Sequence, residues 1–229
     1  MCYVIITGCS LIWFILSLIT DMFIVSAIVT PKWLIGPEII YGGHKLPNQT
    51  FVISTMQAKF QSVGIYTRCK SMHDYGYHCG PFDLDGFATD GNVYPTEWKI
   101  AMFFISFGFA VFSLTVFLTL LTCCRQSAFG KSIHNMTACL QVISGISVML
   151  TLFLHPLGWG ARRVQMLCGV DAEPFYPANC TIGISFYCAV SGVILAFICA
   201  GISLKAENSN MRSRVKRRVE GGERLVCIP

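Results

Sequence analysis

Polar and apolar residues along this chain are segregated into blocks and do not alternate. Four blocks, 4–29, 100–124, 136–159 and 181–204, are predominantly apolar. A helix needs about 20 apolar residues to cross a hydrocarbon core of about 30 Å, and each block is long enough. Helices are the expected state, because backbone polar groups in lipid must be satisfied within the segment. The last three blocks hold no Asp, Glu, Lys or Arg, and the first holds one acid, Asp21. A cleaved signal peptide would begin with a basic stretch and carry only about 7–15 apolar residues. The first block lacks the one and exceeds the other, so it reads as a retained span. The organisation predicted is a single tetraspan domain over 1–204 followed by a polar tail, 205–229.

Composition strengthens this reading. Of 229 residues, 54% are hydrophobic and 13% charged, where soluble domains carry about 25% charged residues. In water such a chain would leave large apolar patches exposed, so lipid is its expected solvent. Most of the net charge of +5 lies in one short basic tail, which gives no surface for nucleic acid.

Four spans put both termini on one side. The connection 125–135 and the tail hold nine basic and three acidic residues, whereas 30–99 and 160–180 together hold eight of each. Basic residues beside spans mark the cytosolic face, so the short connection and both termini are expected there, and 30–99 and 160–180 outside. A plasma-membrane location reached through the endoplasmic reticulum follows. The outside connections contain Cys69, Cys79, Cys168 and Cys180, one pair in each. An even count on the oxidising side implies disulfides, although four cysteines allow three connectivities. The expectation is Cys69–Cys79 and Cys168–Cys180, since both pairs are local. Asn48-Gln49-Thr50 is a glycosylation acceptor in the same compartment. Within 30–99, the stretch 50–67 is rich in Val, Ile, Phe and Tyr and predicts strands.

Several residues carry candidate chemistry. An intramembrane charge costs at least about 2.5–3.5 kcal/mol, so Asp21 is expected to face the other helices. Counting rise from the span centres places Ser106, Thr151 and Ser185 at its depth and His155 one turn away, as candidate hydrogen-bond partners. Cys188, Gly192, Ala196 and Ala200 recur every four residues, a stripe that lets helices approach closely or receives a partner's helix. Cys123 and Cys124 end the second span, where palmitoylation is common, and an acyl chain on Cys227 would pin the tail. Arg212, Arg214, Lys216, Arg217 and Arg218 form a basic cluster suited to anionic lipids of the cytosolic leaflet. The plain alternative is a solvated tail whose charge only fixes topology.

Enzyme chemistry has little support. No C-x-x-C thiol pair, phosphate loop or nucleophile elbow is present. His44, His73, His78, His134 and His155 include no two at metal-ligand spacing on one helix. Neither a cofactor nor a metal is expected.

Pro31-Lys32-Trp33, then Gly64-Ile65-Tyr66-Thr67-Arg68-Cys69 and Cys79, resemble the claudin-superfamily pattern of a Trp, G-L-W-x-x-C and a later Cys. Tyr66 stands where that pattern has its second Trp. The opening Met1-Cys2-Tyr3-Val4-Ile5, Trp33-Leu34-Ile35-Gly36, Cys79-Gly80-Pro81 and Pro156-Leu157-Gly158-Trp159-Gly160 more closely resemble the lipoma HMGIC fusion partner-like (LHFPL) tetraspan family, in its second-paralogue branch. The resemblance covers essentially the whole chain. It implies an all-α membrane protein, a left-handed four-helix bundle with a small extracellular β-sheet formed by both outer connections. It further implies a non-enzymatic accessory subunit that binds integral membrane receptor or channel subunits in cis. The alternative is a claudin-like cell-contact or paracellular barrier protein. The terminal Val226-Cys227-Ile228-Pro229 is a poor strand-adding ligand for the scaffold domains that junction proteins use.

Overall fold

The computed structural model describes residues 4–37, 61–72, 76–81, 94–122, 127–128, 131–210, 221 and 225–228. Four long helices dominate: α1 (Gly8–Val29), α2 (Thr96–Thr122), α3 (Ile133–Leu157) and α5 (Ile184–Asn210), with a short α4 (Arg162–Cys168). A single 3-10 turn, Gly158–Gly160, follows α3. The four long helices are long and apolar enough to cross a membrane, and the chain is a multi-pass membrane protein.

The helix ends depart from the ends of the apolar runs. Residues 4–7 do not open the first helix but form β1 (Val4–Thr7), all β-branched, a type that packs well in strands and poorly in helices. Thr181 and Ile182 form β8 and not the start of a span, with α5 beginning after Gly183. At its other end α5 continues through 205–210, polar but for Ala206, because a helix satisfies its backbone equally well outside lipid. Thr96 opens α2 four residues early, with Trp98 and Lys99 N–H donating to the Pro95 carbonyl. The short connection holds a small hairpin, β6 (Ser127–Ala128) with β7 (Lys131–Ser132), so α3 starts at Ile133. Finally β9 (Leu225–Ile228) pairs in parallel with β1.

By its contacts the chain divides into two compact units. One comprises Met1–Ala27, Ile100–Leu154 and Tyr187–Pro229, and the other Ile28–Lys99 and His155–Phe186.

In the first unit the helices are joined by buried polar side chains and by small residues. Ser144 Oγ (α3) donates to the Gly108 carbonyl (α2) at 2.6 Å, and Ser203 Oγ (α5) to the His134 carbonyl (α3) at 2.8 Å. Trp13 Nε1 donates to Gln141 Oε1 at 3.4 Å, and Gln141 Nε2 donates to Ser17 Oγ at 3.1 Å. Ser17 Oγ in turn donates to the Trp13 carbonyl at 2.8 Å, closing a circuit between α1 and α3. Large apolar side chains such as Ile12, Met22, Phe103 and Phe153 stand exposed, as lipid-facing positions require.

The small-residue stripe of α5 lies inside this unit. A Cβ on Gly192 would stand 3.1 Å from Ile24 of α1. The Ala196 Cβ lies 3.4 Å from where a Cβ on Gly145 of α3 would be. The stripe is therefore an internal seam, where backbone approach and not apolar area sets the contact.

In the second unit, β2 (Leu34–Ile35), β3 (Ser62–Val63), β4 (Thr67–Met72) and β5 (Gly76–Pro81) join β8 in an antiparallel sheet of order β5-β4-β3-β2-β8. The sheet therefore uses both long connections. Of the stretch 50–67, residues 50–60 lie outside the described residues.

Gly192→Leu is expected to lower sharply the yield of monodisperse protein in detergent. Gly201→Leu, on the same helix with nothing within 4 Å of its would-be Cβ, is expected to match the wild type. Size-exclusion chromatography of the two variants checks this.

Candidate functional site

Two constellations merit comparison, one in each unit. In the first, Asp21 is half-buried on α1 and accepts a hydrogen bond of 3.0 Å from Ser113 Oγ of α2. The partner is thus not Ser106, Thr151, Ser185 or His155. Thr151 Oγ1 donates to the Ala101 and Ser147 carbonyls, and Ser185 Oγ donates to the Thr30 carbonyl. His155 belongs to an aromatic cluster described below. Levelling the spans by their apolar midpoints sets Asp21 opposite Ser106, whereas its partner Ser113 lies seven residues further along α2. Asp21 stands thirteen residues after the start of α1, while Ser113 stands nine before the end of α2, so the helix ends are staggered.

The second constellation is built from five elements of the second unit. Trp33, between α1 and β2, is fully buried, with its N–H donating to the Val63 carbonyl and its carbonyl accepting from Gly183 N–H. Its ring packs on His155 of α3 at 4.7 Å between centroids. Trp98, in the first turn of α2, stacks on the other partner of this sandwich, His155, at 5.2 Å and only 3° from parallel. Trp98 Nε1 also donates to the His155 carbonyl at 3.0 Å. Four residues beyond His155, Trp159 in the 3-10 turn donates Nε1–H to His155 Nδ1 at 3.2 Å. Phe186 of α5 meets the Trp33 ring edge-on at 5.7 Å.

The sequence Pro156-Leu157-Gly158-Trp159-Gly160 explains how this cluster closes. Pro156 lacks an N–H and helps end α3, and its carbonyl accepts from Phe175 N–H. A Cβ on Gly158 would stand 2.5 Å from the Trp98 indole, so only glycine admits that ring. Tyr94 packs edge-on to Trp98, and the Arg163 guanidinium lies over the Tyr94 ring at 5.1 Å. Burial pushes the Tyr94 phenol above its ordinary range, and the charges of Arg163 and Arg68 partly offset this. His155 Nδ1 accepts, so the ring proton sits on Nε2, which has no hydrogen-bond partner among the described residues. The arrangement is an aromatic lock around one neutral imidazole. It holds no nucleophile beside a base, and no cluster of metal-ligating residues occurs among the described residues.

Both disulfides lie in the second unit. Cys69 and Cys79 face each other across β4 and β5, with Cα atoms 4.0 Å apart. Cys168, ending α4, is joined to Cys180, just before β8. A closed loop of this second length contributes about 3 kcal/mol by the chain-entropy estimate. Between these cysteines the backbone enters the left-handed region at Phe175 (φ 63°) and Ala178 (φ 48°).

Of the other residues singled out from the sequence, Cys227 lies in β9. Asn48, Cys123, Cys124 and the cluster Arg212, Arg214, Lys216, Arg217 and Arg218 lie outside the described residues. The histidine–tryptophan lock escaped the sequence reading, although His155 and Trp159 at i and i+4 on an otherwise apolar span were visible.

The family model for lipoma HMGIC fusion partner-like protein matches residues 9–205. The chain is 32% identical over 231 residues to the LHFPL tetraspan subfamily member 2a protein of Danio rerio. It is 30% identical over 233 residues to the LHFPL tetraspan subfamily member 2 protein of Homo sapiens. Both similarities extend over the full length of both chains.

Two outcomes are expected. Ser113→Ala and Asp21→Ala, combined in a double-mutant cycle of unfolding in detergent, should couple by about 0.6 kcal/mol and by no more than about 1.7. Trp98→Ala should destabilise the second unit by about 3–5 kcal/mol, read as a loss of thermal stability with both disulfides still formed.

Proposed function

The chain belongs to the lipoma HMGIC fusion partner-like tetraspan family, and we propose that it performs no chemistry of its own. It acts as an accessory subunit that binds a larger receptor or channel complex in the plane of the membrane and supports its assembly or trafficking. One observation carries this reading. Between the third candidate span, which ends at Gly160, and β8, which starts at Thr181, four large apolar side chains stand in the open. Met166 is 73% exposed, Val170 83%, Phe175 57% and Tyr176 58%.

Single exposed apolar residues need no explanation, but four within eleven positions of one short connection do. This connection lies outside the candidate spans, so acyl chains do not account for them. It is also held in shape, by the Cys168–Cys180 bridge, by Phe175 N–H on the Pro156 carbonyl and by a bridge between Glu173 and Tyr176. A left-handed backbone at a bulky residue such as Phe175 costs of the order of 1–3 kcal/mol and persists where its surroundings enforce it. Exposed apolar side chains carried on a backbone held in shape, in an aqueous compartment, fit a protein partner.

The location that goes with this reading is the plasma membrane, reached through the endoplasmic reticulum, with both termini cytosolic. The excess of basic residues in 125–135 and 205–229 supports that orientation, and so do two disulfides confined to the other connections. In the same arrangement Asn48 carries a glycan, Cys123 and Cys124 are acylated, and the basic cluster at 212–218 meets anionic lipid.

The test replaces Met166, Val170, Phe175 and Tyr176 together by Ser in the full chain. The variant should fold, form both disulfides and remain monodisperse. It should also lose the receptor or channel subunit that co-purifies with the wild type from native membranes. Unchanged recovery of that subunit, or a wild-type chain that raises epithelial monolayer resistance with no such subunit bound, would overturn the proposal in favour of a barrier role.

A further inference from the structure

The pairing of β1 with β9 has no role in the lock, the sheet or the exposed face described above. Val4 pairs with Leu225, Ile5 with Val226, Ile6 with Cys227 and Thr7 with Ile228, in parallel. Among the described residues this is a sheet of two strands and no more. A two-stranded ribbon is marginal in water, and parallel pairing is the weaker kind per residue. Sequence makes the difficulty worse. Seven of the eight residues are apolar and none is charged, so no choice of face leaves a polar side for solvent.

Where the ribbon lies along the chain resolves this. Thr7 ends β1 and Gly8 begins α1, with no residue between them. The candidate span begins at that same glycine. On the first two turns of α1, Leu11, Ile12 and Ile15 are exposed, as lipid-facing side chains are. The ribbon therefore begins where the hydrocarbon begins, next to an apolar surface already given to lipid. Its two outer edges still carry backbone N–H and C=O groups that need partners. Hydrocarbon offers none, and bulk water leaves the apolar residues uncovered. The headgroup layer alone supplies both, acyl chains on one side and water with phosphate and ester oxygens on the other.

We propose that the β1–β9 ribbon docks in the headgroup–acyl boundary of the bilayer at the end where α1 starts. Strand β9 is thereby fastened to the membrane through β1, and the lipid surface completes a ribbon that could not persist in water. This goes beyond the accessory-subunit reading and does not depend on it.

The test uses the full chain in liposomes of phosphatidylcholine, with the eight cysteines outside the two disulfides, Cys2, Cys9, Cys123, Cys124, Cys139, Cys188, Cys199 and Cys227, changed to Ser. Ile5→Cys with Val226→Cys places two thiols at paired positions of the register. Mild oxidation should link them within one chain, as mass spectrometry of the fragments reads. A separate variant with Val226→Cys alone carries a small environment-sensitive fluorophore there. Nitroxide-labelled lipids should quench it more strongly with the label near the glycerol than at the chain end. Ile5→Asp should abolish that quenching while leaving elution in detergent unchanged. Failure to link within one chain overturns the proposal. So does linking without quenching, and so does a link found only between two chains, which would assign the ribbon to a second copy.

Discussion

In hydrocarbon the usual force that brings helices together is absent, because lipid tails are as apolar as the side chains they would replace. What remains is close packing and hydrogen bonding between polar groups that have nowhere else to go. The first unit is arranged by this constraint. Fully buried Ser17, Thr20, Gln141, Ser144 and Ser203 all sit on spans, and each reaches a partner. Helix α3 takes part most often, meeting α1 through Gln141, α2 through Ser144 and Thr151, and α5 through the His134 carbonyl. Each such bond is worth little alone, but a slip of one helix along another would strand several at once. Gly192 and Gly145 serve the same end by a different route, letting α5 approach α1 and α3 until packing distinguishes one register from the next.

The second unit solves a different problem with different means. Its sheet includes three strands of only two residues each, β2, β3 and β8, far below what a sheet needs to stand alone. Two disulfides shorten the conformational search, and the Trp33–His155–Trp98 stack supplies the core. Trp33 is the junction between the two. Its backbone is tied to β3 and to Gly183 before α5, while its ring belongs to the stack. Imidazole suits the centre better than a fourth hydrocarbon ring would. Its Nδ1 accepts from Trp159, an indole N–H that a hydrocarbon ring would leave buried and unpaired, while the backbone carbonyl of the same residue accepts from Trp98 whatever the side chain.

The features legible in the sequence are those fixed by length and composition. Four apolar runs announce four spans, because a bilayer sets one length for every crossing. Local cysteine pairs, one in each long connection, are bonded in the structure as their spacing suggests. What was not legible depends on pairing at a distance. Val4–Thr7 continues the apolar run of the helix it adjoins, and its β-branched residues become a strand by pairing with Leu225–Ile228, more than two hundred residues on. Ser113 as the partner of Asp21 required the stagger of α1 against α2, which no hydropathy profile contains. The lock escaped for a third reason. Its tryptophans are scattered over residues 33, 98 and 159, and nothing in their separate neighbourhoods shows that they meet on one histidine.

These distinctions bear on where specificity resides. The run Pro156-Leu157-Gly158-Trp159-Gly160 is the most recognisable stretch of the chain, yet every member with a visible task works inward. Pro156 helps end a helix and anchors Phe175, Gly158 admits Trp98, Trp159 holds His155, and Gly160 lies against Pro174. A motif of this kind preserves a scaffold and cannot by itself select a partner. On the accessory-subunit reading, selection would fall to side chains that the scaffold presents and does not consume. Within 161–183 the two kinds are interleaved: Val164, Cys168, Ala172 and Cys180 are buried, while Met166, Val170, Phe175 and Tyr176 between them are exposed. The buried set fixes the shape of the connection, while the exposed side chains take no part in its core. On the accessory-subunit reading, a partner would be met by this exposed set and not by the run that marks the family.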